Sequence, residues 1–180
     1  MKRNAFIASD AANYLFQYVC YHNPERWKRY KLDDGNPVLD ENNWSKQIKY
    51  LNKENTGVSK EIMALPNNRG GIYVFELKGI TLPFIENYIL YIGRSRLTAS
   101  RNIRKRALEY FRKERASRVM IEEMFDRWGK YLYYRYYLDD DNARIDKTEK
   151  YLIRAILPIY NEDIPNIKEV RAPVPAFKDE

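Results

Sequence analysis

One histidine, His22, and one cysteine, Cys20, are all that this 180-residue chain holds of the two side chains most used to bind transition metals. With the lone histidine read as a packing or surface residue, histidine triads, histidine–metal nuclease centres and histidine proton relays are set aside. A lone cysteine excludes a disulfide framework and a zinc cluster. No apolar run reaches the roughly 18 residues that span a bilayer, so no membrane partner is expected. The opening Met1-Lys2-Arg3-Asn4-Ala5 shows neither an apolar signal region nor a cleavage site, and the expected location is cytoplasmic. What the chain has instead is positive charge and tyrosine. Lysine and arginine number 32 against 25 aspartates and glutamates, a formal charge of +7 that suits a polyanionic partner. Its 16 tyrosines can stack on bases and donate to phosphates, and such residues also fill small β-sheet cores.

The pattern divides into three segments. Residues 1–68 read as a helical N-terminal extension. Asp10 can cap a helix carrying Ala11, Tyr14, Leu15, Tyr18 and Val19, Asn23-Pro24 interrupts it, and further helices are expected over residues 44–51 and 59–65. Residues 69–162 read as an α+β domain. Residues 71–77, 87–93 and 131–138 form a small three-stranded antiparallel sheet, flanked by helices over residues 100–113, 117–128 and 143–157. The acidic run Asp139-Asp140-Asp141 lacks the glycine and ligand spacing of a calcium loop and reads as the start of the last helix. Residues 163–180, with Pro165, Pro173 and Pro175, read as an extended tail.

Two tripeptides stand out. Gly71-Ile72-Tyr73 opens the first strand and Tyr91-Ile92-Gly93 closes the second. A basic helix follows, Asn102-Ile103-Arg104-Lys105-Arg106-Ala107-Leu108-Glu109-Tyr110-Phe111, and then Glu149, Leu152, Ile153, Pro158 and Asn161. In this order the motifs resemble the GIY-YIG nuclease family over residues 70–161. The resemblance implies an endodeoxyribonuclease that uses Mg2+ or Mn2+, one ion per active site. It also implies how the residues divide the work. Tyr73 would take a proton from the attacking water, Tyr91 would order water and phosphate, and Arg106 would stabilise charge on the phosphoryl oxygens. Glu149 would hold the metal, Tyr110 stands where many relatives have histidine, and Asn161 would tie the last helix to the site. A free tyrosine, with a pKa near 10, is a poor base at neutral pH unless cations lower it.

The stretch between Gly93 and Asn102 is longer than the family's common pattern, so Arg101 and Arg106 both compete for the catalytic place. Helix geometry favours Arg106. Ile103, Ala107, Tyr110 and Phe111 share one apolar face with Arg106 at its edge, whereas Arg101, Lys105 and Arg112 lie toward solvent. Glu149 heads a stripe continued by Leu152, Ile153 and Ile156. A half-buried carboxylate there needs a cation, either a metal or, as the plainer alternative, a structural salt bridge to Arg106 or Arg154. Arg94, Arg96, Arg101, Arg104, Lys105 and Arg112, with Lys113, Arg115 and Arg118, make a basic tract. Its default reading is a solvated face; beside a phosphodiester site it would grip the phosphates of double-stranded DNA.

The chain's size suits a restriction endonuclease, in which residues 1–68 and the longer stretch after Gly93 would supply base contacts or a homodimer surface; Arg26, Trp27, Lys28, Arg29 and Trp44 are candidates for this and equally for core and rim positions. Homing, mobile-element and repair nucleases usually carry further domains. A module that binds DNA without cutting it is the alternative from a different class.

Overall fold

The computed structural model describes residues 35–78, 88–111 and 118–161. The helix expected after Asp10, residues 26–29, the tail 163–180, and Arg112, Lys113 and Arg115 lie outside the described residues. Among those described, the sheet has four antiparallel strands where three were expected. They are β1 (Ile48–Lys49), β2 (Gly71–Leu77), β3 (Tyr88–Ser95) and β4 (Leu132–Leu138), in the order β1-β4-β2-β3. Helices α1 (Lys60–Met63), α2 (Ile103–Glu109) and α3 (Val119–Trp128) cover one face, and α4 (Asn142–Ile156) covers the other. No helix among the described residues is long and apolar enough to cross a membrane.

The additional strand replaces an expected helix. Trp44, Ile48 and Leu51 have helical spacing, yet their segment is extended. Ile48 pairs with Tyr134, and the Ser45 and Tyr50 amides donate to Tyr136 O and Leu132 O. Left alone, β4 would present a row of unpaired backbone groups along this side. Pairing them outweighs a local helix preference worth a few tenths of a kcal/mol per residue. Trp44 bridges to Tyr137, packs on its ring at 6.0 Å and donates its indole N–H to Val38 O.

β2 is buried from Gly71 to Glu76 because both of its faces are covered. Ile72 and Val74 meet Ile92, Ile145 and Ile153 beneath α4. Tyr73 and Phe75 alternate to the other side, into the core built with Tyr50, Ile103, Ala107, Tyr110 and Phe125. Phe75 is the hub: its ring lies edge-on to Tyr50 (5.0 Å), Tyr110 (5.2 Å) and Tyr134 (5.4 Å). Each such pair adds about 0.5–1.5 kcal/mol beyond area burial. Side-chain caps fix the helix starts that matter for the site. Asn102 accepts from Lys105 N at the start of α2, and Asp141 accepts from Ala143 N and Arg144 N at the start of α4. The rest of the acidic run is spent locally, Asp139 on Arg144 (2.6 Å) and Asp140 on Arg69 (2.7 Å).

Candidate active site

Across the β2–β3 pair, Tyr73 opposes Gly93 and Phe75 opposes Tyr91, so both tyrosines of the two tripeptides point to the face covered by α2. From α2, Arg106 and Tyr110 reach down from successive turns. Arg106 Nε donates to Tyr73 Oη at 3.1 Å, Nη2 donates to Tyr110 Oη at 3.1 Å, and Nη1 holds Glu109 at 2.9 Å. Tyr110 donates to Tyr91 Oη at 3.0 Å. A phenol has one proton, so Tyr73 is the donor in its 2.6 Å bond to Tyr110. The hydroxyls therefore form a directed chain, Tyr73 to Tyr110 to Tyr91, with Arg106 at its inner end. At the outer end Arg118, which precedes α3, lies 3.5 Å from Tyr91 Oη with its guanidinium 5.9 Å from the ring centre. Arg101 is exposed and closes a turn with Thr98, so Arg106 rather than Arg101 meets the phenols.

Burial raises the pKa of Tyr73 and of Tyr110 above that of a free phenol; neighbouring phenols add to the shift and Arg106 opposes it. Both hydroxyls keep their protons at neutral pH. Burial works against the Arg106 charge as well. The facing phenol oxygens and the hydrogen bonds to Tyr73 and Glu109 nevertheless hold its pKa above the ordinary value. Because the tyrosine values are raised in the folded state, their contribution to stability is complete below the unfolded-state pKa near 10 and is lost as pH rises through the folded values.

The glycines of the two tripeptides are demanded by close approach. A Cβ on Gly93 would lie 2.4 Å from Tyr73 Oη, and one on Gly71, whose φ is +152°, would lie 2.1 Å from Tyr137 O. Gly93→Ala is expected to push the Tyr73 phenol off Arg106 and Tyr110 and to cost about 1–3 kcal/mol, read as a lower urea midpoint. An unchanged midpoint would mean that the phenol does not seat against position 93.

Glu149 lies on the opposite face. Arg94 pairs with Ile72, so its side chain leaves the sheet toward α4. There Glu149 sits between Ile145 and Ile153 on the buried side of the helix, with its side chain 12% exposed. Arg94 Nη1 holds Glu149 Oε2, and Arg94 Nε reaches Asp146 Oδ1 at 2.9 Å. Arg96 Nε donates to the same Asp146 oxygen at 2.9 Å, which keeps the Asp146 pKa below the ordinary carboxylate value. The salt bridge foreseen as the plainer alternative therefore exists, but its partner is Arg94 and not Arg106 or Arg154. The strand register aims position 94 at α4, which side-chain spacing on α4 alone does not reveal.

The phenol group and the carboxylate thus approach one end of β3 from two sides. Gly93 abuts Tyr73, and the next residue, Arg94, holds Glu149. β3 is the last strand in the sheet order. Asn161 closes its outer edge: Nδ2 donates to Ile92 O at 2.8 Å, and Oδ1 accepts from Ile92 N at 2.9 Å. A side-chain amide thereby takes the place of a neighbouring strand for the residue between Tyr91 and Gly93.

The donor set limits which metal fits. Among the described residues no three histidine, cysteine or carboxylate side chains converge, so a zinc site or a calcium cage is not supported. One carboxylate suits magnesium, which keeps several waters and binds through one or two carboxylates plus substrate phosphate. Glu149 fits such an ion through Oε1, which accepts no hydrogen bond among the described residues.

In the basic tract, Arg94 and Arg96 are tied to carboxylates, Arg104 Nε donates to Leu65 O, and Lys105 Nζ donates to Ser100 O at 3.2 Å. Three neighbours of the site were not singled out by the sequence. Tyr50 donates to Ala107 O at 2.7 Å and steadies α2; Tyr134 stacks on Tyr73 at 5.3 Å; Asp146 shares Arg94 with Glu149. Asp146 was findable, because it precedes Glu149 by three residues on one helix face. Tyr50 was not, because its role depends on β1. No protein-family model, curated protein or solved structure matches the chain.

Proposed function

We propose that the protein is a divalent-metal-dependent endodeoxyribonuclease of the GIY-YIG kind, and within that class a restriction endonuclease cutting double-stranded DNA at a specific site. One observation carries the reading: Tyr73, Tyr91, Arg106 and Tyr110, from three separate stretches of chain, meet in a single hydrogen-bonded group. Phosphodiester hydrolysis needs an activated water, stabilisation of phosphoryl charge and help for the leaving oxygen. Loss of one proton from the three-phenol chain leaves a negative charge. Shifts of the two shared protons let that charge settle at Tyr73 beside Arg106. A water at Tyr91 Oη, the outermost hydroxyl, then gives its proton to the chain. Tyr73 acts as the base through Tyr110 and Tyr91 rather than by direct contact, consistent with its complete burial. Arg118 beside Tyr91 and Arg94 beside Glu149 would draw in the phosphate oxygens. Glu149 would hold magnesium or manganese, which would supply positive charge for the leaving 3′ oxygen. Cutting both strands needs two such sites, which a homodimer on the DNA would provide.

A second reading, a module that binds DNA without cutting, is favoured by the protonated state of Tyr73 and the neutralisation of Glu149 by Arg94. Plasmid incubated with the protein in magnesium or in EDTA separates the readings. Discrete fragments in magnesium alone indicate a site-specific enzyme, and a smear indicates a nuclease without sequence preference. Retarded but intact plasmid indicates the binding module.

A further inference from the structure

We infer that Arg94 is the resident counter-ion of the metal site: its guanidinium and a divalent ion exclude each other at Glu149, and Asp146 retains Arg94 when the metal enters. The inference rests on Glu149 as the metal ligand. A carboxylate on a side chain only 12% exposed requires a cation at all times, because an uncompensated buried charge is strongly unfavourable. Arg94 is that cation in the protein by itself. Arg94 donates to Glu149 Oε2, so its guanidinium stands beside Oε1, the oxygen that a metal would use. Two cations a few ångströms apart in a partly desolvated site repel each other.

Asp146 makes the exchange feasible. Arg94 contacts it through Nε while Nη1 holds Glu149, so giving up Glu149 does not leave the guanidinium unpaired. Arg96 also engages Asp146 and keeps it ionised. The charges of the four groups explain when the exchange takes place. Two guanidiniums and two carboxylates cancel, so the site by itself offers no net negative charge to attract a dication. Phosphates of bound DNA supply the missing charge and give Arg94 a further anion to engage. Metal and DNA then promote each other's binding, and the metal-loaded state forms on substrate.

The test is binding of Mn2+ alone to the full-length protein, read from the electron paramagnetic resonance signal of the free ion, with and without duplex DNA in a metal-free buffer. Without DNA, Arg94→Met is expected to bind Mn2+ about tenfold more tightly than the wild type. Asp146→Asn, which leaves Arg94 with Glu149 alone, is expected to bind about threefold more weakly. Glu149→Gln is expected to lose binding, and DNA should tighten Mn2+ binding more in the wild type than in Arg94→Met. Arg94→Lys keeps the charge but cannot bridge both carboxylates, so it should fall between the wild type and Arg94→Met. That order also serves if the methionine variant folds poorly. Wild-type affinity in both Arg94 variants, with binding lost in Glu149→Gln, overturns this inference alone. Undiminished binding in Glu149→Gln overturns the metal-ligand reading and the inference together.

Discussion

Arg106→Ala is expected to slow DNA cleavage by about a thousandfold, roughly 4 kcal/mol of transition-state stabilisation, while the protein stays folded. Arg106 is the cation that touches two of the three phenols, and its side chain is 15% exposed, so water cannot take over its role at full strength. Without it, a negative charge at Tyr73, the buried inner end of the chain, would lose its adjoining cation, and Arg118 stands only at the outer end, by Tyr91. Arg106→Lys restores charge but not the fork that reaches Tyr73 and Tyr110 together, so about a tenth of the lost activity should return. Arg101→Ala is the control. An exposed side chain away from the phenols should change cleavage by no more than about threefold, with its effect confined to salt-dependent DNA affinity. Single-turnover cleavage at saturating protein reads all three. If Arg101→Ala proved the severe variant, the helix-face assignment would be reversed.

Two tyrosines stacked on each other should respond in opposite ways. Tyr73→Phe removes the inner hydroxyl of the chain and the acceptor for Arg106 Nε, and is expected to cut activity by about a hundredfold to a thousandfold. Tyr134 lies 5.3 Å from it ring to ring, but its hydroxyl is buried with no hydrogen-bond partner among the described residues. Tyr134→Phe should therefore leave cleavage intact and hold or raise stability by up to about 1 kcal/mol. The pH dependence carries the same signature. With the phenol pKa values raised by burial, the reactive, deprotonated fraction is small at neutrality and grows with pH. The wild-type rate should climb about tenfold per unit between about pH 6 and 9, and Tyr73→Phe should flatten that slope. Equal losses in the two variants would show that ring packing, not the hydroxyl chain, sets activity.

Much of the framework was legible residue by residue. The strand-like runs bounded β2 and β4 to within a residue, and the acidic cap that ends at Asp141 placed the start of the last helix, whereas α2 begins at Ile103, later than the expected start at residue 100. β1 was not legible, because nothing within residues 44–51 announces the backbone edge of β4, which lies more than eighty positions away. The phenol–arginine group was legible through the family resemblance, with helix spacing deciding for Arg106 over Arg101. The face occupied by Glu149 was not. A sheet has two sides, and a register step of one residue separates Gly93, against Tyr73, from Arg94, against Glu149. Parity along a single strand does not say which helix covers which side; that is settled only when α4 packs on Ile72, Val74 and Ile92.

The phenols and Glu149 lie on two faces of the sheet, so the proposed reaction requires them to serve one phosphate from either side of β3. The decisive measurement is single-turnover cleavage of supercoiled plasmid in magnesium by the wild type and by Glu149→Ala, with DNA affinity followed in parallel. The wild type is expected to cut and to stop in EDTA, and Glu149→Ala to bind DNA but leave it supercoiled. Cutting by Glu149→Ala at near the wild-type rate would contradict the proposed reaction.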